Sequence, residues 1–339
     1  MALSLSVLDL ATITSGTSAS QALRNTIALA QLAERLGYTR YWLAEHHNMP
    51  AIASTAPEIM IGQVARATER IRVGSGGIML PNYAPLKVAE WFHTLEALFP
   101  GRIDLGIGRA PGSDQAAALA LRGGDRRSLL AEAFPQQLSD LFGFSEGSLP
   151  PGHPYRSVRA LPGDISLPPV WLLGSSDYSA RLAAKLGLRF AYAAHFSPYY
   201  AEEAMLAYRN GFTPSRYLAE PEAILAVSVI CGETEERADY LAASQDLFWL
   251  RFTSGRPEPY PTPEEALAYP YTPEERATIA ARRAQQIIGS PAKVARELAA
   301  MAEQTQANEV MITCPIYSHE DRLRSYALIA HEFGIRPSP

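Results

Sequence analysis

The run Glu45-His46-His47-Asn48 puts one carboxylate and two imidazoles directly after an apolar, strand-like segment, Thr39 to Ala44. Imidazole titrates near neutrality, so such a cluster can move a proton, hydrogen-bond an anion or bind a metal. Metal binding is the weaker expectation. Adjacent side chains on an extended chain point to opposite faces, and no third ligand at metal spacing accompanies them. A polar cap over the end of an apolar strand is the bland alternative.

Three glycines interrupt a second strand-like run, Val73-Gly74-Ser75-Gly76-Gly77-Ile78-Met79-Leu80-Pro81. Glycine weakens a strand, so it belongs where a flat ligand lies on the backbone or where the chain bends to close a sheet. Both readings stay open. A third run, Gly106-Ile107-Gly108-Arg109-Ala110-Pro111-Gly112, approaches a dinucleotide fingerprint. Its third glycine comes one residue late and Pro111 disrupts the helix start, so the Rossmann reading is rejected. Arg109, just past a strand end, suits a phosphate as well as it suits solvent. Leu173-Gly174-Ser175-Ser176-Asp177 leads into a helix. Free N–H groups and the helix dipole make Gly174, Ser175 and Ser176 an anion site, and N-capping by either serine is compatible with it. His195 closes a further strand, at the same rim or satisfied by local backbone.

Alternating strands and helices must carry these residues. The strand segments are Leu3–Leu8, Thr39–Ala44, one opened by Ile71–Val73, Arg102–Ile107, Val170–Leu173, Arg189–Ala193, Ala223–Cys231 and Glu309–Thr313. Helical spacing follows in a segment capped by Ser20 and ended by Gly37, then at Pro57–Glu69, Pro85–Phe99, Ser128–Phe142, Ser176–Leu186, Pro198–Asn210, Pro291–Gln304 and Glu320–Phe333. Gly112–Gly124 carries few strand signals, and Pro150–Pro169 reads as a loop with room for a hairpin. Regular alternation implies parallel strands with crossover helices. Eight such units predict a closed (β/α)8 TIM barrel over residues 1–339 as one domain, with an open doubly wound sheet as the competing architecture. An insert at 233–288, after the seventh strand, is helical and Pro-rich and is expected to act as a lid. In a barrel the chemistry lies at the C-terminal strand ends, where the unusual residues fall.

Composition narrows the function. Apolar residues make up 47% of the 339 and charged residues 19%, so the chain can bury a large core. The net charge of −5 and the lack of a basic stretch argue against nucleic acid. Cys231 and Cys314 are too few and too far apart for a disulfide framework or a zinc site. The N-terminus alternates like a strand instead of showing a signal peptide, and no apolar run reaches the ~20 residues of a membrane span. A cytoplasmic protein is the expectation.

Several segments together resemble the bacterial luciferase-like flavin monooxygenases over essentially the whole chain. They are Trp42-Leu43-Ala44-Glu45-His46-His47, the Val73–Pro81 run, Gly101-Arg102-Ile103-Asp104-Leu105-Gly106-Ile107-Gly108-Arg109, Leu173-Gly174-Ser175-Ser176, and Gly289-Ser290-Pro291 with Glu309-Val310-Met311-Ile312-Thr313. The likeness is to the luciferase-like oxidoreductase subgroup more than to either luciferase subunit. It implies a barrel with FMN at its mouth and His46 as the active-site histidine. It also implies a non-prolyl cis bond at Gly76–Gly77 beneath the flavin, with Arg109, Ser175 and Ser176 on the phosphate. Luciferase has alanines at the positions of Gly76 and Gly77 and a cysteine at that of Gly108, so the substrate need not be shared.

The resemblance further implies a two-component monooxygenase. A separate flavin reductase would supply reduced FMN, and oxygen chemistry would act on a small organic substrate. The alternatives are hydride transfer with the deazaflavin F420, flavin binding without catalysis, and a metal-dependent barrel hydrolase. The apolar character of helices 57–69 and 85–99, together with the family's habit, predicts a homodimer.

Overall fold

The computed structural model describes residues 3–124 and 133–337. Its elements run β1 (Ser4–Asp9), α1 (Ala19–Leu36), β2 (Arg40–Leu43), α2 (Pro57–Arg66), β3 (Arg72–Ser75), β4 (Ile78–Met79), α3 (Pro85–Leu98), β5 (Ile103–Gly108), α4 (Gln115–Leu121) and α5 (Phe134–Glu146). The second half comprises β6 (Val170–Gly174), α6 (Asp177–Leu186), β7 (Arg189–Ala193), α7 (Ala201–Asn210), β8 (Ala223–Cys231), α8 (Glu235–Thr253), α9 (Pro263–Ala268), α10 (Pro273–Arg283), β9 (Ile287–Gly289), α11 (Pro291–Thr305), β10 (Glu309–Thr313) and α12 (His319–Phe333).

All pairings between these strands are parallel, in the order β10-β1-β2-β3-β5-β6-β7-β8, and β10 also pairs with β8. That last pairing closes the ring, so the molecule is a (β/α)8 barrel and not an open sheet. β4 continues the third stave against β5, and β9 extends the rim beside β8. Closure explains the near-continuous burial of strands such as β8, which read as unbroken apolar runs rather than alternating ones. Among the described residues no helix is long and apolar enough to cross a membrane.

The barrel interior has two characters. Toward the N-terminal strand ends, Arg40 on β2 reaches Glu309 on β10 at 2.8 Å and Asp104 on β5 at 2.9 Å. Arg72 adds a 2.6 Å bridge to Asp104, and Trp42 Nε1 donates to the same carboxylate at 3.1 Å. Arg40, Glu309 and Asp104 sit on staves that are not neighbours, so these bonds cross the interior. Burial alone would raise the Asp104 carboxyl, but Arg40 and Arg72 outweigh it and hold it below its ordinary range. Above this ionic floor lies an apolar layer of Leu8, Trp42, Trp171, Ile224 and Met311, with the two indoles edge to face at 5.5 Å.

Several boundaries depart from the sequence expectation for physical reasons. The cap of α1 is Ser18, whose side chain accepts from the Gln21 N–H, and Ser20 lies inside the helix. Gly37 does end it, at φ 91°, and a Cβ there would lie 2.3 Å from the Arg336 backbone. α5 starts at Phe134 because Pro135 fits a first turn and no later position. Of the predicted Ser128–Phe142 helix, residues 128–132 lie outside the described residues. α4 fills part of the stretch that carried few signals, and no strand forms in 150–169, so there is no hairpin. In the insert, Pro263 and Pro273 open helices behind capping Thr262 and Thr272, so these prolines start structure instead of breaking it. α2 and α3 bury most of their apolar residues against the barrel, including Ile61, Val64, Val88 and Phe92, and present only Ile59 and Leu98 as strongly exposed large apolar side chains.

Candidate active site

The C-terminal ends of the staves surround a cavity of about 220 Å³. Its walls include Leu8, Trp42, Met79 and Met311, and every predicted site residue except Gly77 lines it: His46, Gly76, Arg109, Gly174, Ser175 and Ser176.

Alternation at the end of β2 separates the cluster at 45–47. His46 faces the cavity, while Glu45 and His47 turn away together and bond to each other at 2.8 Å. Glu45 is fully buried and also accepts from the Met79 N–H and the Tyr83 hydroxyl, each at 2.9 Å. It therefore pins the third stave to the second and is an anchor for the site. Desolvation, with help from the neighbouring His195 and His47, lowers the His46 pKa to about 4. The imidazole is thus neutral near pH 7 and suited to donating a hydrogen bond instead of carrying a charge. Its Nδ1 is buried without a hydrogen-bond partner. His195, whose sequence reading was open, lines the cavity as well. Its Nδ1 meets the Ala226 carbonyl at 3.3 Å, and burial lowers its pKa to about 4. The exposed Phe196 ring lies against both imidazoles, 4.2 Å from His195 and 6.5 Å from His46.

The glycines of the third stave divide the two readings left open above. The Gly76–Gly77 peptide is cis, as the resemblance implied. Gly76 presents bare backbone to the cavity, and a Cβ on it would meet Leu8 and Trp42 at 2.5 and 3.2 Å. Gly77 is buried, and its Cβ would strike the Gly106 carbonyl at 2.7 Å. Gly76 therefore faces the cavity, while Gly77 packs against the Gly106 backbone of the next stave. Gly108 also lines the cavity, and its Cβ would meet the Met79 sulfur at 2.7 Å.

The polar end of the cavity lies over β5 and β6. The Arg109 guanidinium stacks on Tyr178 at 4.0 Å and has no carboxylate partner among the described residues. Stacking fixes its plane and leaves its N–H groups free for an anion. Ser176 holds the N-cap position of α6 with extended backbone, but its side chain makes no cap bond, so the first-turn N–H groups stay open. Gly174 permits this turn, since a Cβ there would overlap Ser179 at 2.5 Å. Asp177 opposes an anion here, and Arg181 offsets it at 2.5 Å. Sequence reasoning missed Tyr178, in the first turn of α6, and Phe196, in the turn after β7, because neither position is marked by periodicity.

A family model described as luciferase-like monooxygenase matches residues 3–309. The chain belongs to the luciferase-like monooxygenase family. A relative from Escherichia coli (strain K12), named luciferase-like monooxygenase, is 42% identical over 326 residues, covering 95% of each chain. The N-acetyl-S-alkylcysteine monooxygenase of Bacillus subtilis (strain 168) is 37% identical over 328 residues, covering 96% of this chain and 97% of its own. The crystal structure of apo-MsnO8 superposes with a TM-score of 0.91 at 38% identity, over 99% of this chain and 100% of the other. At 17% and 13% identity, a diketocamphane monooxygenase constituent with FMN and an F420-dependent alcohol dehydrogenase share the fold alone, with TM-scores of 0.71 and 0.68 and at least 98% of each chain covered. Membership in the luciferase-like family supports a flavin-dependent monooxygenase in general terms.

Proposed function

We propose that this protein is the oxygenase component of a two-component monooxygenase, binding reduced FMN delivered by a separate reductase and oxidising a small organic substrate. The observation that carries this reading is a stacked Arg109, without a carboxylate partner among the described residues, beside the open N-terminus of α6 at one end of an otherwise apolar cavity. Arg109, Ser175, Ser176 and the N–H groups around Gly174 would hold the phosphate. The bare backbone at Gly76 and the small Gly108 would accept the flat ring, where a side chain would intrude. The bound flavin supplies the electrons that activate oxygen. His46 contributes a neutral imidazole on the cavity wall, suited to a hydrogen bond to the reacting group. Leu8, Met79 and Met311 exclude water from that region. Segment 233–288 is the lid over the mouth of a single barrel domain, and the protein works as a cytoplasmic homodimer. The relative named for N-acetyl-S-alkylcysteine makes thioethers the first substrate class to assay.

Titration of the protein with FMN, lumiflavin and F420, followed by flavin fluorescence, tests the assignment. FMN should bind tightest. Loss of one charge-assisted contact, worth about 1.5–3 kcal/mol, should weaken FMN binding roughly 10- to 100-fold in Arg109→Ala. Lumiflavin, which lacks the phosphate, should be unaffected. Tighter binding of F420 would move the protein to deazaflavin hydride transfer, and turnover unchanged in His46→Ala would favour a role in flavin binding alone.

A further inference from the structure

Away from the proposed phosphate end, the cavity wall is largely apolar, with Leu8, Leu10, Met79 and Met311 among its side chains. The polar side chains there are few, and two are already engaged. Trp42 donates its Nε1–H to Asp104, and the Tyr192 hydroxyl reaches the carbonyls of Ser197 and Ser175 at 2.9 and 3.2 Å. That leaves His46 and His195 as the side chains of this region with ring nitrogens open to a ligand.

The two imidazoles carry their protons on different nitrogens. The turn after β7 ties His195 to β8: its backbone N–H donates to the Ala226 carbonyl at 3.1 Å, and its Nδ1 meets the same oxygen at 3.3 Å. A carbonyl oxygen only accepts, and its two lone pairs serve two donors, so Nδ1 holds the proton. A neutral imidazole has one N–H, which leaves His195 Nε2 a bare acceptor. That atom has no partner among the described residues and keeps accessible surface in a side chain that lines the cavity. His46 is arranged the other way round. Its Nδ1 is sealed without a partner, and a proton there would be an orphaned buried donor, which folded chains avoid more strictly than an idle acceptor. The proton therefore sits on His46 Nε2, which is unpartnered but not sealed. One cavity thus presents a donor at His46 and an acceptor at His195, with the Phe196 ring against both.

We propose that His195 is the residue by which this cavity prefers the reduced flavin to the oxidised one. Two-electron reduction is accompanied by protonation of the ring nitrogen N5, which changes from a bare acceptor into an N–H donor. An acceptor at His195 gains a partner from the reduced ring that the oxidised ring lacks, and hydrogen bonds to ring nitrogens are a lever proteins hold over a flavin. The ring carbonyls persist in both states, so the donor at His46 finds an acceptor in either. The electrons come from the separate reductase, and His195 takes part in no covalent step. This inference rests on the flavin reading and deepens it: the side chain that selects the redox state is distinct from those that hold the phosphate.

The midpoint potential of FMN on the protein, read anaerobically by spectroelectrochemistry beside free FMN, measures the ratio of the two affinities. The wild-type protein should raise it. His195→Leu should cut the preference for the reduced form about tenfold, the scale of one hydrogen bond, and so lower the bound potential by about 30 mV. Affinity for oxidised FMN, followed by flavin fluorescence, should stay within about twofold. His195→Gln, whose amide oxygen can accept, should recover part of the preference. A wild-type potential at or below that of free FMN, or a potential unchanged in His195→Leu, would overturn the proposal. Equal weakening of both redox states would overturn it too, since it would mark His195 as structural only. Nitrogen NMR of the histidine-labelled wild-type protein keeps the test open where a variant fails to fold. His195 should show the Nδ1–H tautomer and His46 the Nε2–H tautomer, and a proton on His195 Nε2 overturns the proposal. No binding of FMN in either state by the wild-type protein would sink the flavin reading itself, whereas binding of both states alike sinks only this inference.

Discussion

Acid should destabilise this protein in part through His46. The imidazole has an ordinary pKa of 6.5 and a folded value of about 4, because burial disfavours its charged form. The unfolded chain therefore takes up the proton first as pH falls. The contribution to stability is complete above pH 6.5 and is lost as pH drops from there toward 4. At about pH 5 the loss is RT ln[(1 + 10^1.5)/(1 + 10^−1)], or about 2 kcal/mol, against almost nothing at about pH 7.5. His46→Gln cannot titrate, so its stability should fall between those pH values by about 2 kcal/mol less than that of the wild-type protein. His195 and His319, whose pKa values are also lowered to about 4, keep their own share in both proteins. Urea unfolding followed by circular dichroism at the two pH values reads the difference. An equal fall in both proteins would refute the neutral, desolvated state assigned to His46, and with it the hydrogen-bond role.

The other expectations follow from close contacts. Gly77→Ala should destabilise by about 2 kcal/mol or more, since its Cβ meets the Gly106 carbonyl and that backbone cannot move alone. Gly76→Ala meets a Leu8 methyl that can rotate away, so thermal melts should move less while flavin affinity falls; the reverse order would contradict the division of the two glycines. Glu45→Gln turns an amide toward donors it must accept from, at a cost of about 1–3 kcal/mol, and lower activity should accompany the lower melting point as Met79 shifts. Cys231 and Cys314, both pushed up to about 12 by burial, should resist a thiol reagent until the chain unfolds. Rapid labelling in native buffer would argue otherwise.

The order of strands and helices was legible in the sequence, because each parallel strand buried on both faces must appear as an apolar run followed by a crossover helix. The rim residues were legible too, since a strand end places polar residues at the mouth wherever the barrel closes. Alternation alone sent His46 and His47 to opposite sides. Closure was expected from the count of eight units, but the pairs that complete it, β10 with β1 and with β8, were not legible one by one, because they join segments far apart in the chain. The ionic floor was hidden for the same reason: Arg40 finds its carboxylates 64 and 269 positions away. Which of two adjacent glycines faces the cavity, whether an imidazole is neutral, and whether Arg109 finds a carboxylate among the described residues are matters of surroundings. A residue type announces what a side chain can do, but burial and the absence of a partner are set only when distant segments pack around it.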